Sequence, residues 1–385
     1  VFVRTVLRRT VLRFFILRSV LIEMLWIGLA VSLCYIPGLT GAYIATQWPL
    51  LAVILPFGLL WRGPFTVFHL LGLIFVDYAA VHILWSPNPY GSVYGVWLLA
   101  ISALAVWFGT ALEDTRELYK GLAIGAILSS FVAVLQFFCI SVVPTTSTMP
   151  AGLYVNSVQQ GTVLALVAVA LMTERMWLWI PSLLPGIWLS HSRGGAIVLL
   201  IGLLCCCSRR LWIPIGILAM AALIYLFYPL SPSDSQRLYI WHVAWDNLTL
   251  FGWGAGAFFS AVLVHDGVTL FPEYAHNDFL QFAFEFGIGA ILPAIIIGYA
   301  AWRTDVKEWP VVLAFCAAAC FSMPLSMPIA AFLSLVAVGR VLRAHGLHGS
   351  ERNYRGYDFL SWDDTCRLAT RGRDFSVAPQ HSAKG

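Results

Sequence analysis

Apolar runs dominate the chain, and polar residues are confined to short gaps between them. The runs are roughly 15–25 residues long, close to what a helix needs to cross a bilayer. They lack the period-two alternation of barrel strands, so they predict helices. Lipid offers backbone groups no water, which leaves only those two choices. The pattern predicts about twelve spans: Ser19–Ile36, Ala42–Leu60, Pro64–Trp85, Val93–Leu112, Gly121–Val143, Val158–Met172, Met176–Ser190, Gly194–Cys207, Leu211–Tyr228, Asn277–Tyr299, Pro310–Met323 and Leu325–Gly339. Pro181 and Pro185 make the seventh a bent or partial crossing. The longest polar gap precedes Asn277, and there polar residues enter an apolar run: His276, Asn277, Gln281 and Glu285. Ionisable groups at membrane depth are costly, and mark function by default.

Composition agrees with this reading. Of 385 residues, 60% are hydrophobic and only 11% charged, against roughly 25% charged in a soluble protein. The fold class predicted is all-α, a polytopic helical membrane protein. If the N-terminus lies inside, the basic residues sort to one side. Of 23 Lys and Arg, all but Arg193 and Arg237 fall in inner loops or tails, which is a strong positive-inside bias. The layout is then a basic inner N-terminus over 1–18, a membrane domain over 19–340 with a long outer loop at 229–275, and a basic inner tail over 341–385. No small-residue cleavage site follows the N-terminal arginines, so the first apolar run reads as an anchor helix. The eight cysteines show neither metal-ligand nor disulfide spacing and read as packing residues. No cofactor and no metal are expected.

Two outer basic residues among so many inner ones point to chemistry. Ser190-His-Ser-Arg-Gly-Gly195 opens the eighth span. A helix N-terminus with free N–H groups and Arg193 beside it makes an anion site, or Arg193 simply snorkels. In Ser233–Trp245, Arg237, Trp241 and Trp245 recur at i, i+4, i+8, which predicts an amphipathic helix at the interface. That helix either anchors or binds substrate. Phe251-Gly-Trp-Gly-Ala-Gly256 has no preceding strand and reads as a turn or close backbone approach. Asn277, Gln281 and Glu285 form a drifting stripe on the tenth span, with His276 at its mouth as a general base. Glu285 is either a buried structural partner or a catalytic helper. Asn156 opens the sixth span toward the same side. Asp77 and His82 are expected to form a structural ion pair.

Paired arginines and helix dipoles suit a diphosphate, aromatic and glycine residues suit a sugar, and membrane depth suits a lipid tail. The chemistry implied is glycan transfer from a lipid diphosphate to an acceptor hydroxyl, with arginines stabilising the leaving group.

These residues resemble the O-antigen ligase and polymerase superfamily of bacterial envelope enzymes. The likeness covers about Gly152 to Gly339 and rests on Gly152–Asn156, Ser192-Arg-Gly-Gly195, Arg237-x-x-x-Trp241, Gly252-x-Gly-x-Gly256, His276-Asn-x-x-Leu280, and Glu285-x-Gly287 with Gly289. The resemblance implies a helical glycosyltransferase in the bacterial inner membrane, with both termini cytoplasmic and the long loop periplasmic. Its donor would be an undecaprenyl-diphosphate-linked glycan and its acceptor a glycolipid or glycan, with no nucleic-acid partner. The arginines and histidine essential to such enzymes map to Arg193, Arg237 and His276; Asn156, Trp241, Asn277 and Glu285 would bind or support. Departures lie at Ser157-Val158-Gln159, where the family often has a second Asn, and in Phe321–Pro328, where Ser and Met replace a His or acid. The family contains ligases, polymerases and protein O-oligosaccharyltransferases. Rivals outside it are a polysaccharide flippase or transporter, which should show paired broken helices in two related halves, and a SEDS-type peptidoglycan polymerase resting on Asp234, Asp246 or Asp266.

Overall fold

A computed structural model describes residues 23–31, 42–59, 65–140, 149–154, 156–206, 232–260, 263–265, 268–270 and 274–346. The expected span Leu211–Tyr228 and both basic tails beyond these limits lie outside the described residues. Residues 23–31 are helical (α1). There follow α2 (Ala42–Leu59), α3 (Val67–Val81), α4 (Pro89–Ala111), α5 (Arg116–Phe137), α6 (Ser157–Thr173), α7 (Leu184–Leu189), α8 (Arg193–Cys206), α9 (Pro232–Asp246), α10 (Asp278–Phe286), α11 (Ile291–Trp302), α12 (Trp309–Phe321) and α13 (Pro328–Gly346). A two-stranded antiparallel ribbon, β1 (Leu263–His265) and β2 (Val268–Leu270), interrupts the helical pattern, with Val264 opposite Thr269.

Among the described residues, four helical segments are long and apolar enough to cross a bilayer: Val67–Leu84, Pro89–Ala111, Arg116–Phe137 and Asp278–Trp302. Of the other expected spans, α6, α8 and α12 are apolar but shorter helices. The seventh is not one helix: a 3-10 stretch, Trp177–Ser182, holds Pro181, and the short α7 follows. Proline removes a backbone donor and clashes with the preceding turn, which is why no full helix forms there. α13 runs on to Gly346, past the expected edge of the membrane domain at 340.

α6 is apolar on every side, and residues Val163–Met172 are all buried. A helix of that kind belongs at the centre of a bundle. Small residues let α8 approach it closely. A Cβ on Gly195 would meet the Gly161 backbone, and one on Gly202 would meet Val169. α4 and α13 make the same kind of contact through Gly109 and Gly339. In lipid, packing of this sort drives helix association, because no hydrophobic effect separates one apolar surface from another. On the outside of the bundle, α3 exposes Val67, Leu70, Leu73, Ile74 and Val81, an apolar surface that suits lipid and not water.

One end of the bundle is a charged lock. Glu174, at the C-terminus of α6, accepts from Lys307 (2.5 Å) and Thr115 (2.8 Å). Glu308, before α12, accepts from Arg340 of α13 at 3.2 Å. Arg340 and Arg343 both reach the Leu112 carbonyl at the end of α4. Both glutamates are almost fully buried, so each charge needs these partners. The lock ties the ends of five helices together at the basic end. The expected Asp77–His82 pair does not form. Asp77 is exposed, while His82 is buried with Nδ1 2.9 Å from the Tyr78 carbonyl and Nε2 2.6 Å from that of Phe251. Residues five apart on a helix are rotated by about 140°, which points these two side chains in different directions.

Candidate functional site

The opposite end carries the polar residues singled out in the sequence. Asn277 caps α10: its extended backbone stops the turn, and its Oδ1 accepts from Leu280 N at 3.0 Å. Such a cap satisfies one of the orphan amides that begin any helix. Gln281, one turn on, links Ala275 N (3.1 Å) to Glu285 Oε1 (3.2 Å). Glu285 also accepts from Phe258 N at 3.4 Å. The stripe Asn277–Gln281–Glu285 is therefore a ladder of hydrogen bonds, and Glu285 holds the loop before α10 to that helix.

That ladder fixes the turn bearing His276. The Ala275 amide is held by Gln281, and its carbonyl accepts from Trp241 Nε1 at 2.7 Å. His276 follows at φ +55°, a left-handed conformation uncommon outside glycine and concentrated at functional sites. α9 lies against this turn, with Ile240 and Ala244 packed on Phe258 and Ala275. Of the expected stripe on α9, Trp241 faces inward while Trp245 is 67% exposed. Steps of four residues drift about 40° each, so the third member swings away. α9 also brings Arg237 near His276. Burial and then the Arg237 charge push the His276 pKa down from 6.5 to about 4. Both effects disfavour the imidazolium, so His276 is a neutral ring at pH 7.

A second group gathers at the starts of α6 and α8. Asn156 caps α6, accepting from Val158 N at 2.8 Å. Its approach loop is braced from α5, where Gln136 Oε1 accepts from Ala151 N and Gly152 N. Ser192 precedes Arg193; its Oγ accepts from Gly195 N at 3.1 Å and donates to the Val158 carbonyl at 3.2 Å. Asn156 and Arg193 therefore stand on neighbouring helix N-termini. Between this group and the first sits the 3-10 turn Pro324–Ser326, which packs on α6 and gives Leu325 N to Asp278 Oδ2 at 2.9 Å. The sequence had offered this segment only as a departure from a motif. Its contribution is a backbone amide, which no side-chain pattern reveals.

The glycines of the loop between α9 and α10 serve close packing, as the turn reading expected. The tenth span breaks at Gly287 (φ +52°) and resumes as a 3-10 turn and α11. The break frees backbone groups, and the loop takes them up. Trp253 N donates to Phe284 O (3.1 Å), Gly254 N to Glu285 O (2.8 Å), and Ile288 N to Leu250 O (2.8 Å). Irregular backbone at membrane depth survives only when protein satisfies it in this way. Gly252 lies so close that a Cβ would fall 2.5 Å from Phe286 N. From the other side, Tyr78 Oη donates to the carbonyls of Phe251 and Phe286.

A cavity of about 590 Å³ opens beside α10. Its walls, among the described residues, come from α3, α4, α10, α11 and α13 and are chiefly apolar; Asp278, Gln281 and Glu285 supply a polar strip. No protein-family model and no curated protein matches the chain.

Proposed function

We propose that the chain is a membrane glycosyltransferase of the O-antigen ligase kind, moving a glycan from an undecaprenyl-diphosphate carrier to an acceptor hydroxyl at the periplasmic face of the bacterial inner membrane. The observation that carries this reading is His276, held on a braced left-handed turn and close enough to Arg237 to feel its charge. Arg237 and Arg193 bind the diphosphate, aided by the α6 and α8 N-termini. The acceptor oxygen attacks the anomeric carbon, and the bond from that carbon to the diphosphate oxygen breaks. The electron pair leaves with the diphosphate, whose charge the arginines stabilise. The acceptor proton passes to the His276 ring and from there to solvent.

Arg237 gives this site an order of events. An unoccupied site keeps His276 a weak base. A bound diphosphate neutralises the Arg237 charge, so the ring's proton affinity rises once the donor is in place. Asn277, Trp241 and Glu285 act by positioning: Trp241 and the Gln281–Glu285 pair hold Ala275, and with it the base.

The break at Gly287 favours one rival, a polysaccharide flippase, because transporters use broken helices to bind substrates. The backbone groups freed here are, however, bonded to the Leu250–Gly254 loop, which leaves them unavailable for that use. The test is glycan transfer in membranes supplied with lipid-linked glycan. His276→Ala should lower the rate by about 10²-fold or more, the usual contribution of a positioned acid–base group. Retained transfer would remove His276 as the base, and retention in both Arg193→Ala and Arg237→Ala would remove the diphosphate site. A gel of envelope polysaccharide from a deletion strain separates subtypes: loss of capped polysaccharide means ligase, and single repeats on the core mean polymerase.

A further inference from the structure

The cavity beside α10 holds neither Arg237 nor His276, and its polar strip differs in kind from the arginine site. Asp278 and Glu285 are each about 5% exposed and line it, and no Lys or Arg does among the described residues. An anionic head group would find no Lys or Arg there to pair with, whereas an uncharged head needs none. A hydroxyl head instead donates to the two carboxyls. Among the described residues, the Asp278 carboxyl accepts one hydrogen bond, from Leu325 N, out of roughly four lone-pair positions. Gln281 gives one amide hydrogen to Glu285; its second hydrogen needs an acceptor, which a hydroxyl has and an ammonium lacks. The remaining walls are chiefly apolar, with His69 and Ser102 among them, and are exposed at Leu73 and Tyr94, so the cavity is open toward the lipid-facing side of α3 and α4.

We propose that this cavity binds an uncharged amphiphile, its apolar chain between α3 and α4 and its hydroxylated head on Asp278, Gln281 and Glu285. Assigning that amphiphile as the glycan acceptor rests on the transfer reading; its binding does not. Asp278 follows His276 by two residues, which ties the polar strip of the cavity to the turn that bears the base.

Gly72 supplies a clean probe. It lines the cavity, and a Cβ built on it meets nothing within 4 Å, so a larger side chain grows into the cavity without backbone strain. Gly298 on α11 has equally open surroundings but is not part of the lining and serves as the control. The full chain, in amine-oxide micelles free of sugar head groups, would be titrated by native mass spectrometry with three dioleoyl lipids bearing glucosyl, phosphate or primary ammonium heads. The glucosyl lipid should bind best. Gly72→Phe should weaken it about tenfold, a loss of roughly 1.4 kcal/mol, while Gly298→Phe leaves it unchanged. Asp278→Asn with Glu285→Gln should erase the preference over the phosphate lipid. Preference for the phosphate or ammonium head, or no effect of Gly72→Phe, overturns the proposal. A chain-labelled photoreactive glucosyl lipid on the unmodified protein gives a second reading: crosslinks should map to α3 and α4, and crosslinks confined elsewhere refute the site. Glycolipid binding by an unmodified protein that shows no glycan transfer would sink the transfer reading and leave this site standing; transfer without glycolipid binding would do the reverse.

Discussion

The coupling between Arg237 and His276 makes a quantitative prediction that needs no turnover. The His276 pKa lies at about 4 against an ordinary 6.5, a preference for the neutral ring of about 3 kcal/mol at ~1.4 kcal/mol per tenfold change. Burial is the larger cause and Arg237 the smaller. The arginine therefore accounts for the smaller share of the displacement. Arg237→Gln keeps the bulk of the side chain and removes its charge. In that variant the His276 midpoint should rise but stay below 6.5, because burial persists. Diethylpyrocarbonate modifies only the neutral imidazole, and mass spectrometry of the labelled peptide reports His276 separately from the other eight histidines. Inorganic pyrophosphate should raise the midpoint in the unmodified protein and have little effect in Arg237→Gln. A midpoint near 6.5 in the unmodified protein would refute the burial argument, and an unmoved midpoint in Arg237→Gln would refute the pairing. The same displacement carries a stability consequence. The folded pKa lies below the unfolded one, so the unfolded chain binds the extra proton at low pH. The stabilisation is complete above about pH 6.5 and is lost as pH falls from there to about 4. The melting temperature of the micellar protein should fall across that window, and more shallowly in His276→Gln.

Three structural predictions can be read from melting curves. Gly252→Ala should destabilise by about 2 kcal/mol or more, since Gly252 sits at φ +80° and a Cβ adds left-handed strain and a clash with α10; an unchanged melt would mean the loop does not pack on the break. Glu285→Ala should cost about 1–3 kcal/mol for each buried donor left unpaired, whereas Glu285→Gln retains an acceptor and should cost less; equal effects would argue that the loop is held by something else. At the charged lock, Arg340→Ala leaves Glu308 buried without that cation and should cost about 3–5 kcal/mol, and replacing both by apolar residues of similar size should recover much of it. Additive losses in the double variant would count against the pair.

The sequence alone determined the helical, lipid-facing character of the chain, because apolar length and charge exclusion are local properties that any membrane helix must show. It also put Asn156 and Asn277 at the starts of helices and Gln281 with Glu285 on one stripe, since helix starts and i, i+4 neighbours depend only on nearby residues; that the two Asn are caps and the pair is bonded came from the structure. The spacing puts Arg237, Trp241 and Trp245 on one face only if helical drift over eight residues is neglected, and it pairs Asp77 with His82 although a five-residue step turns them apart. Only the tertiary structure decided that Arg237 acts on His276, that Leu325 supplies an amide to Asp278, and that the glycine loop fills the break at Gly287. Each joins residues far apart in the chain, and two of the three run through backbone groups that every residue carries. Side-chain identity cannot encode such contacts; they follow from how closely α9, α10 and the 3-10 turn are able to pack.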